Sequence, residues 1–322
     1  MKFDRKFVTG AIASAFVAVA TTGAMAQSAE ETPVKATLIV HCCLGNSFWE
    51  PLLLGAREAG EKFNVEIDFQ NAEFDPARQV NYIEQAVSQG QDAIIPMIAH
   101  PEAQTEPLKK AREAGIVVIA ANTDHPDGDA SGTREAYIGQ DFVSAGELIG
   151  NYLVENAGIG AGDHCLLPGE SPEQHHIASR GRGVLNALEA AGATGEILRT
   201  GDKPEDALNL ISQYLLANPQ TTCVIGLGNT PTSVIPQAVE EAGLDPLPNG
   251  GFDTSPQIME NIVAGRTLAT VDQQPFWQGF LAVMMAAYEV RYGLAPANFN
   301  SSNGLITADN AEVVAKYSGT YR

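Results

Sequence analysis

The chain has 322 residues, 44% hydrophobic and 18% charged, with 39 acidic side chains against 19 basic ones. That length supports a large core and more than one domain. The net charge of −20 argues against nucleic acid or an anionic membrane surface as a partner, and no long charge block or low-complexity tract signals extended disorder.

At the amino end, Lys2, Arg5 and Lys6 precede an apolar run from about Phe7 to Ala20, and Ala24-Met25-Ala26 stands before Gln27. A charged start, a short apolar centre and an A-x-A site form the pattern of a secretory signal cleaved after Ala26. The run is shorter than the ~20 residues that a membrane span needs. No cysteine sits at the cleavage point to carry a lipid. Removing residues 1–26 leaves about 296 residues and moves the net charge to about −22. The mature chain is expected to be a soluble exported protein.

Strands are predicted at 37–42, 65–71, 93–97, 117–121 and 137–139, then again at 164–167, 195–200, 223–227, 250–252 and 269–271. Most are continuous apolar runs, as expected for parallel sheets covered on both faces. Helices of roughly 12 to 16 residues fit between them, which gives repeated βα units and a doubly wound α/β class.

The two sets mirror each other. Asp75-Pro76 opens a helix with Val80, Ile83 and Val87 on one face; Pro204 opens another with Leu208, Ile211 and Leu215. Proline suits the first helical turn, and the spacing marks a buried stripe. Glu-Ala-Gly at 58–60, 113–115 and 241–243, with a near copy at 189–192, predicts glycine-capped helix ends. The expected division is a signal at 1–26, one lobe from 34–140 with 274–302, and a second from 141–273 with 303–322. Crossings are expected near 139–141, 272–274 and 300–304, forming a three-strand hinge. An apolar helix from Phe276 to Tyr292 reads as a core helix.

Cys42, Cys43, Cys165 and Cys223 all fall in apolar, strand-like runs. They read as small buried hydrophobes, with a Cys165–Cys223 bridge as the alternative. The adjacent Cys42 and Cys43 cannot easily bridge each other without strain. No C-x-x-C pair occurs, and Asp124-x-x-Asp127-x-Asp129 resembles a calcium loop only loosely, so it reads as a solvated turn and no metal is expected.

In open parallel sheets, ligands bind at the carboxyl ends of the strands. The residues just past each strand form a coherent set: Asn46, Phe48 and Trp49; Asn122, Thr123 and Asp124; His175, His176 and Arg180; Asp202; Asn229; Asp253; and Gln273. Sugar hydroxyls both donate and accept, so they match planar amides, carboxylates and a guanidinium. The C–H faces of a sugar ring pack on aromatic rings such as Phe48 or Trp49.

At these residues the chain resembles the ribose/galactose class of bacterial periplasmic sugar-binding proteins. Asn46-Ser47-Phe48-Trp49 is similar to that class's N-P-F-F element. Residues 225–229 (Ile-Gly-Leu-Gly-Asn), 250–253 (Gly-Gly-Phe-Asp) and 269–275 (Ala-Thr-Val-Asp-Gln-Gln-Pro) match its binding loops in order and spacing. The resemblance covers essentially the whole mature chain. It implies a type I periplasmic binding protein fold, a periplasmic location and an ABC permease in the inner membrane as partner. By position, Asn46, Phe48, Trp49, Arg180, Asn229, Asp253 and Gln273 carry over as ligand contacts, and a histidine shortly before the arginine is similar to His175 or His176.

Two departures separate the chain from ribose binders. Their Asp-Arg pair after the fourth strand is replaced by Asn122-Thr123, and their far-lobe stacking ring falls roughly where this chain has Asp202. A different monosaccharide or a sugar alcohol is therefore expected, with the missing ring favouring the alcohol. No enzyme signature appears: G-x-S-x-G and H-E-x-x-H are absent, and Gly226-x-Gly228 lacks the third glycine of a dinucleotide loop. The expected protein is a monomer that binds without a cofactor. The alternative is a sensor that presents a sugar-like signal to a membrane kinase or chemoreceptor.

Overall fold

The computed structural model describes residues 32–42, 48–302 and 304–322. The secretory-signal reading and Asn46 lie outside the described residues.

The first half of the chain alternates strand and helix up to β4, which β5 follows without an α-helix between: β1 (Val34–Val40), α1 (Trp49–Lys62), β2 (Val65–Asn71), α2 (Pro76–Ser88), β3 (Ala93–Pro96), α3 (Pro101–Glu113), β4 (Val117–Asn122) and β5 (Ala136–Gly139). The second half repeats the scheme: α4 (Phe142–Ala157), β6 (His164–Gly169), α5 (His175–Ala190), β7 (Thr194–Arg199), α6 (Pro204–Ala217), β8 (Cys223–Ile225), α7 (Asn229–Glu241), β9 (Asn249–Phe252), α8 (Pro256–Val263) and β10 (Ala269–Asp272). The chain then adds α9 (Pro275–Tyr292), β11 (Phe299–Asn300), β12 (Gly304–Thr307) and α10 (Ala311–Ala315).

Two six-stranded sheets result, ordered β11-β5-β4-β3-β1-β2 and β12-β10-β9-β8-β6-β7. Every pairing is parallel except β10 with β12. The doubly wound α/β class is thus borne out. The chain passes between the sheets after β5, after β10 and again between β11 and β12.

Helix starts follow the local chemistry. Asp75 caps α2, accepting from the backbone N–H of Ala77 at 2.8 Å with Pro76 in the first turn. Asp141 caps α4 through Ser144 N–H at 3.0 Å. The buried face of α2 differs from the expected one. Gln79, Ile83 and Ala86 are buried while Val80 and Val87 are half-buried. Gln79 tolerates burial because its Nε2 donates to Met97 O at 3.0 Å and its Oε1 meets His100 Nδ1 at 2.8 Å.

Gly115, Gly192 and Gly243 follow helices with positive φ, but Gly60 does not cap α1, which continues to Lys62. There a Cβ would lie 3.0 Å from Val65 O. The glycine serves helix-to-strand contact instead.

Each lobe is anchored by a close helix pair. A Cβ on Gly279 of α9 would lie 2.0 Å from Leu52 O of α1, and one on Gly183 of α5 would lie 2.1 Å from Val143 O of α4. Such contact is available only to glycine. Pairing across adjacent strands also decides the cysteines. Cys165 and Cys223 stand opposite each other in β6 and β8 and form a disulfide with Cα atoms 4.5 Å apart. Cys42 is disulfide-bonded too. The reading as reduced buried hydrophobes is therefore replaced: parallel register brings two interior sulfurs into bonding distance.

Candidate functional site

A cleft of about 880 Å³ opens between the carboxyl ends of the two sheets. Its walls come from the segments that follow each strand from β1 to β10. Every strand-end residue singled out from the sequence and described by the structure reaches this wall except Thr123 and Asp124.

Phe48 is half-buried, and Trp49 is only 3% exposed, seated in the core of the first lobe with one side at the cleft. Their rings meet edge-on at 4.8 Å, and Trp49 meets His41 edge-on at 5.3 Å. Asn122, at the end of β4, adopts φ +63° and donates through Nδ2 to Gln278 Oε1 at 3.0 Å and Gln273 Oε1 at 3.4 Å. Gln273 in turn donates to Asp253 Oδ1 at 2.5 Å. The structure thus joins Asn122, Gln273 and Asp253 into one polar line running from the first lobe to the second.

Arg180 is 2% exposed. Its Nε and Nη2 donate to Gln140 Oε1 at 3.0 and 2.9 Å, and Nη1 donates to Leu227 O at 3.0 Å. Its guanidinium carbon stands 4.3 Å from the centre of the Phe252 ring and 5.4 Å from that of Phe142. Burial lowers the pKa of this cation, while Asp253 and Glu170 favour its charge. Burial likewise raises the Asp253 carboxyl, against the opposing pull of Arg180. His176, one turn before Arg180, is held well below the usual imidazole range by burial and then by Arg180.

Asp124 lies off the cleft wall, and its carboxylate is gripped by the buried Arg134, which also pairs with Asp129. The loop around Asp127 and Asp129 is exposed. Asn229 begins α7 and lines the cleft, with its Oδ1 buried and unpartnered among the described residues.

Several wall residues escaped the sequence reading. His41, directly after β1, is 5% exposed, and its pKa is lowered to about 4 by burial and by His100. Glu170, directly after β6, has its carboxyl pushed up to about 7, chiefly by burial. Gln140, directly after β5, does not reach the wall itself but accepts from Arg180 behind it. The same strand-end rule points at all three once β1 ends at Val40 and β6 at Gly169. Phe142, which the sequence reading did not single out, brings a ring of the second lobe to the cleft wall.

Chemically, the cleft offers planar amides, acceptor-rich carboxylates, a held guanidinium, neutral imidazoles and aromatic edges. Among the described residues no group of three or more His, Cys, Asp or Glu side chains is placed to hold a metal ion, and no helix is long and apolar enough to cross a membrane.

The periplasmic binding protein domain matches residues 38–293. The chain is 26% identical over 325 residues to the xylose/arabinose-binding protein XylF of Sulfolobus acidocaldarius, covering 95% of this chain and 80% of that one. It is 24% identical over 289 residues to the ribose import binding protein RbsB of Salmonella typhimurium, covering 88% and 91%. Among solved structures, a carbohydrate transporter from Acidothermus cellulolyticus in complex with myo-inositol superposes with a TM-score of 0.80 at 27% identity, over 89% of this chain and 98% of the other.

Proposed function

Because the chain belongs to the periplasmic binding protein domain family, we propose that it is the solute-binding component of an ABC importer, taking a monosaccharide or sugar alcohol into the inter-lobe cleft and delivering it to a membrane permease. One observation carries this reading: amides and carboxylates from both lobes converge on a single cleft with aromatic edges. Two polar atoms on its walls, His41 Nδ1 and Asn229 Oδ1, are buried without protein partners among the described residues. Leaving such a group unpaired costs ~1–3 kcal/mol, which a hydroxyl-bearing ligand offsets.

Asn122 approaches a ligand from the first lobe, Arg180, Asn229 and Asp253 from the second, and Gln273 from the crossing between them. Contacts from both sides stabilise the closed arrangement over the open one, and this difference drives closure about the three crossings. Neutral histidines together with Glu170, Asp202 and Asp253 favour an uncharged ligand. The relatives named for xylose, arabinose and ribose, and the neighbour holding myo-inositol, support the same class. The protein works as a monomer in the periplasm after export, and its action is binding rather than turnover.

Thermal unfolding of the purified protein with myo-inositol, D-xylose and D-ribose tests the reading. A ligand at 100 times its Kd adds about 2.7 kcal/mol of apparent stability. A transition unmoved by every compound of a wide pentose, hexose and polyol panel, or chemical conversion of a bound one, sinks the proposal.

A further inference from the structure

We propose that Glu170 is a positioning residue for ligand recognition, clamping the Gly228–Thr230 turn against the end of β6 so that Asn229 is held at the cleft wall. The inference rests on the binding reading above and adds to it a residue that acts through another.

The turn is held at both ends by charged side chains. Glu170 Oε1 accepts the backbone N–H of Thr230 at 3.0 Å. At the other end Arg180 Nη1 donates to Leu227 O at 3.0 Å. Between them, the Glu170 carboxylate lies directly over Gly228, where a Cβ would come within 2.2 Å of Oε2. Glycine at 228 is what leaves the carboxylate its place. Thr230 Oγ1 also donates to Asp202 O at 3.3 Å, tying the turn to the loop after β7. Asn229 is the residue between these fixed points.

The clamp is strongest when Glu170 is ionised. A carboxylate at a helix N-terminus accepts charge-assisted hydrogen bonds and meets the positive end of the helix dipole, here that of α7. Burial pushes the carboxyl up to about 7, against the hydrogen bonds from its own backbone and from Thr230. The charged groups that act on it are Asp253, which opposes ionisation, and Arg180, which favours it. Acidification through neutrality therefore converts the clamp to a weaker, neutral acceptor. Since ligand binding selects the clamped turn, it also selects the ionised carboxyl, and affinity falls with pH by at most about tenfold per unit.

Titration calorimetry with myo-inositol, D-xylose and D-ribose from pH 5.5 to 8.5 tests this on the unaltered protein, E170Q and E170A. The unaltered protein should bind more weakly as pH falls below about 7. E170Q, which keeps an oxygen for Thr230, should bind with a flatter pH profile. E170A should lose about tenfold or more in affinity while its circular dichroism and ligand-free melting stay close to those of the unaltered protein. The other cleft titrants, His41, His100, His175, His176 and Asp253, are present in all three proteins, so the difference between profiles arises from replacing Glu170. Unaltered affinity in E170A, or an E170Q profile as steep as that of the unaltered protein, overturns the assignment. Absence of binding by the unaltered protein overturns the binding reading itself, and the assignment with it.

Discussion

Gln273 donates its side-chain amide to Asp253 Oδ1 across 2.5 Å, which ties the second interlobe crossing to a carboxylate of the cleft. Its own oxygen accepts from Asn122. Gln278 continues the line, accepting from Asn122 and donating to Gln273 O and to Ser301 Oγ on the third crossing. All of these side chains are buried. Asn122, Asp253 and Gln273, which line the cleft, are therefore also residues that join the crossings through one connected set of hydrogen bonds.

Replacing Asp253 by alanine is expected to abolish ligand binding and to leave the fold standing. Asp253 holds φ +76°, a region alanine adopts at a cost of ~1–2 kcal/mol. Calorimetry reads the affinity and urea unfolding reads the stability. Retained affinity would remove Asp253 from the site.

Arg180→Ala should be costlier than a surface change. It strands Gln140 Oε1 and Leu227 O and leaves a cavity between Phe142 and Phe252. The expected loss is about 3 kcal/mol of stability together with ligand binding. Arg180→Lys should recover part of the stability but little affinity, because an ammonium cannot reproduce the fork.

The Cys165–Cys223 bridge closes a loop of 58 residues. Chain-entropy arguments give it about 4 kcal/mol. A Cys165→Ala, Cys223→Ala double variant should shift the urea midpoint down accordingly, with ligand affinity measured in water nearly unchanged. A midpoint equal to that of the unaltered protein would contradict the assignment.

Arg322 places Nε 3.1 Å from Oδ2 of Asp272, although the two are not aligned for a hydrogen bond. Burial raises the Asp272 carboxyl above its ordinary range, and Arg322 pulls it back down. A raised carboxyl contributes stability that is present at low pH and lost as pH rises. Arg322→Met removes the opposing pull, so it should destabilise the protein by about 1–2 kcal/mol near neutrality. The difference from the unaltered protein should vanish on acidification, as both carboxyls protonate. A pH-independent difference in melting temperature would show that the ion pair is not its origin.

Gly279→Val tests the helix pairing. A Cβ would enter space occupied by Leu52 O at 2.0 Å, and backbone cannot yield as a side-chain tip can. A loss of ~3 kcal/mol or more is expected, read by urea unfolding.

The alternating pattern of the chain determined most of the architecture by itself. Continuous apolar runs such as 93–96 and 117–121 declare strands buried on both faces, and Asp75-Pro76 and Pro204 mark helix starts through local backbone chemistry. The strand-end rule found Asn122, Arg180, Asn229, Asp253 and Gln273 because it depends only on where strands stop. It missed His41 and Glu170, whose strands run to Val40 and Gly169, because a shift of one or two residues changes which side chain stands at the rim. Only tertiary structure decided the partners. Asp124 reads as a free carboxylate until Arg134 is folded against it. Cys165 and Cys223 read as hydrophobes until parallel register sets them opposite. Phe142 reaches the cleft wall because α4 carries it there. Periodicity and capping are properties of neighbours in sequence, whereas ion pairing, disulfides and cleft composition depend on residues far apart in the chain, such as Asn122 and Gln278, 156 positions apart.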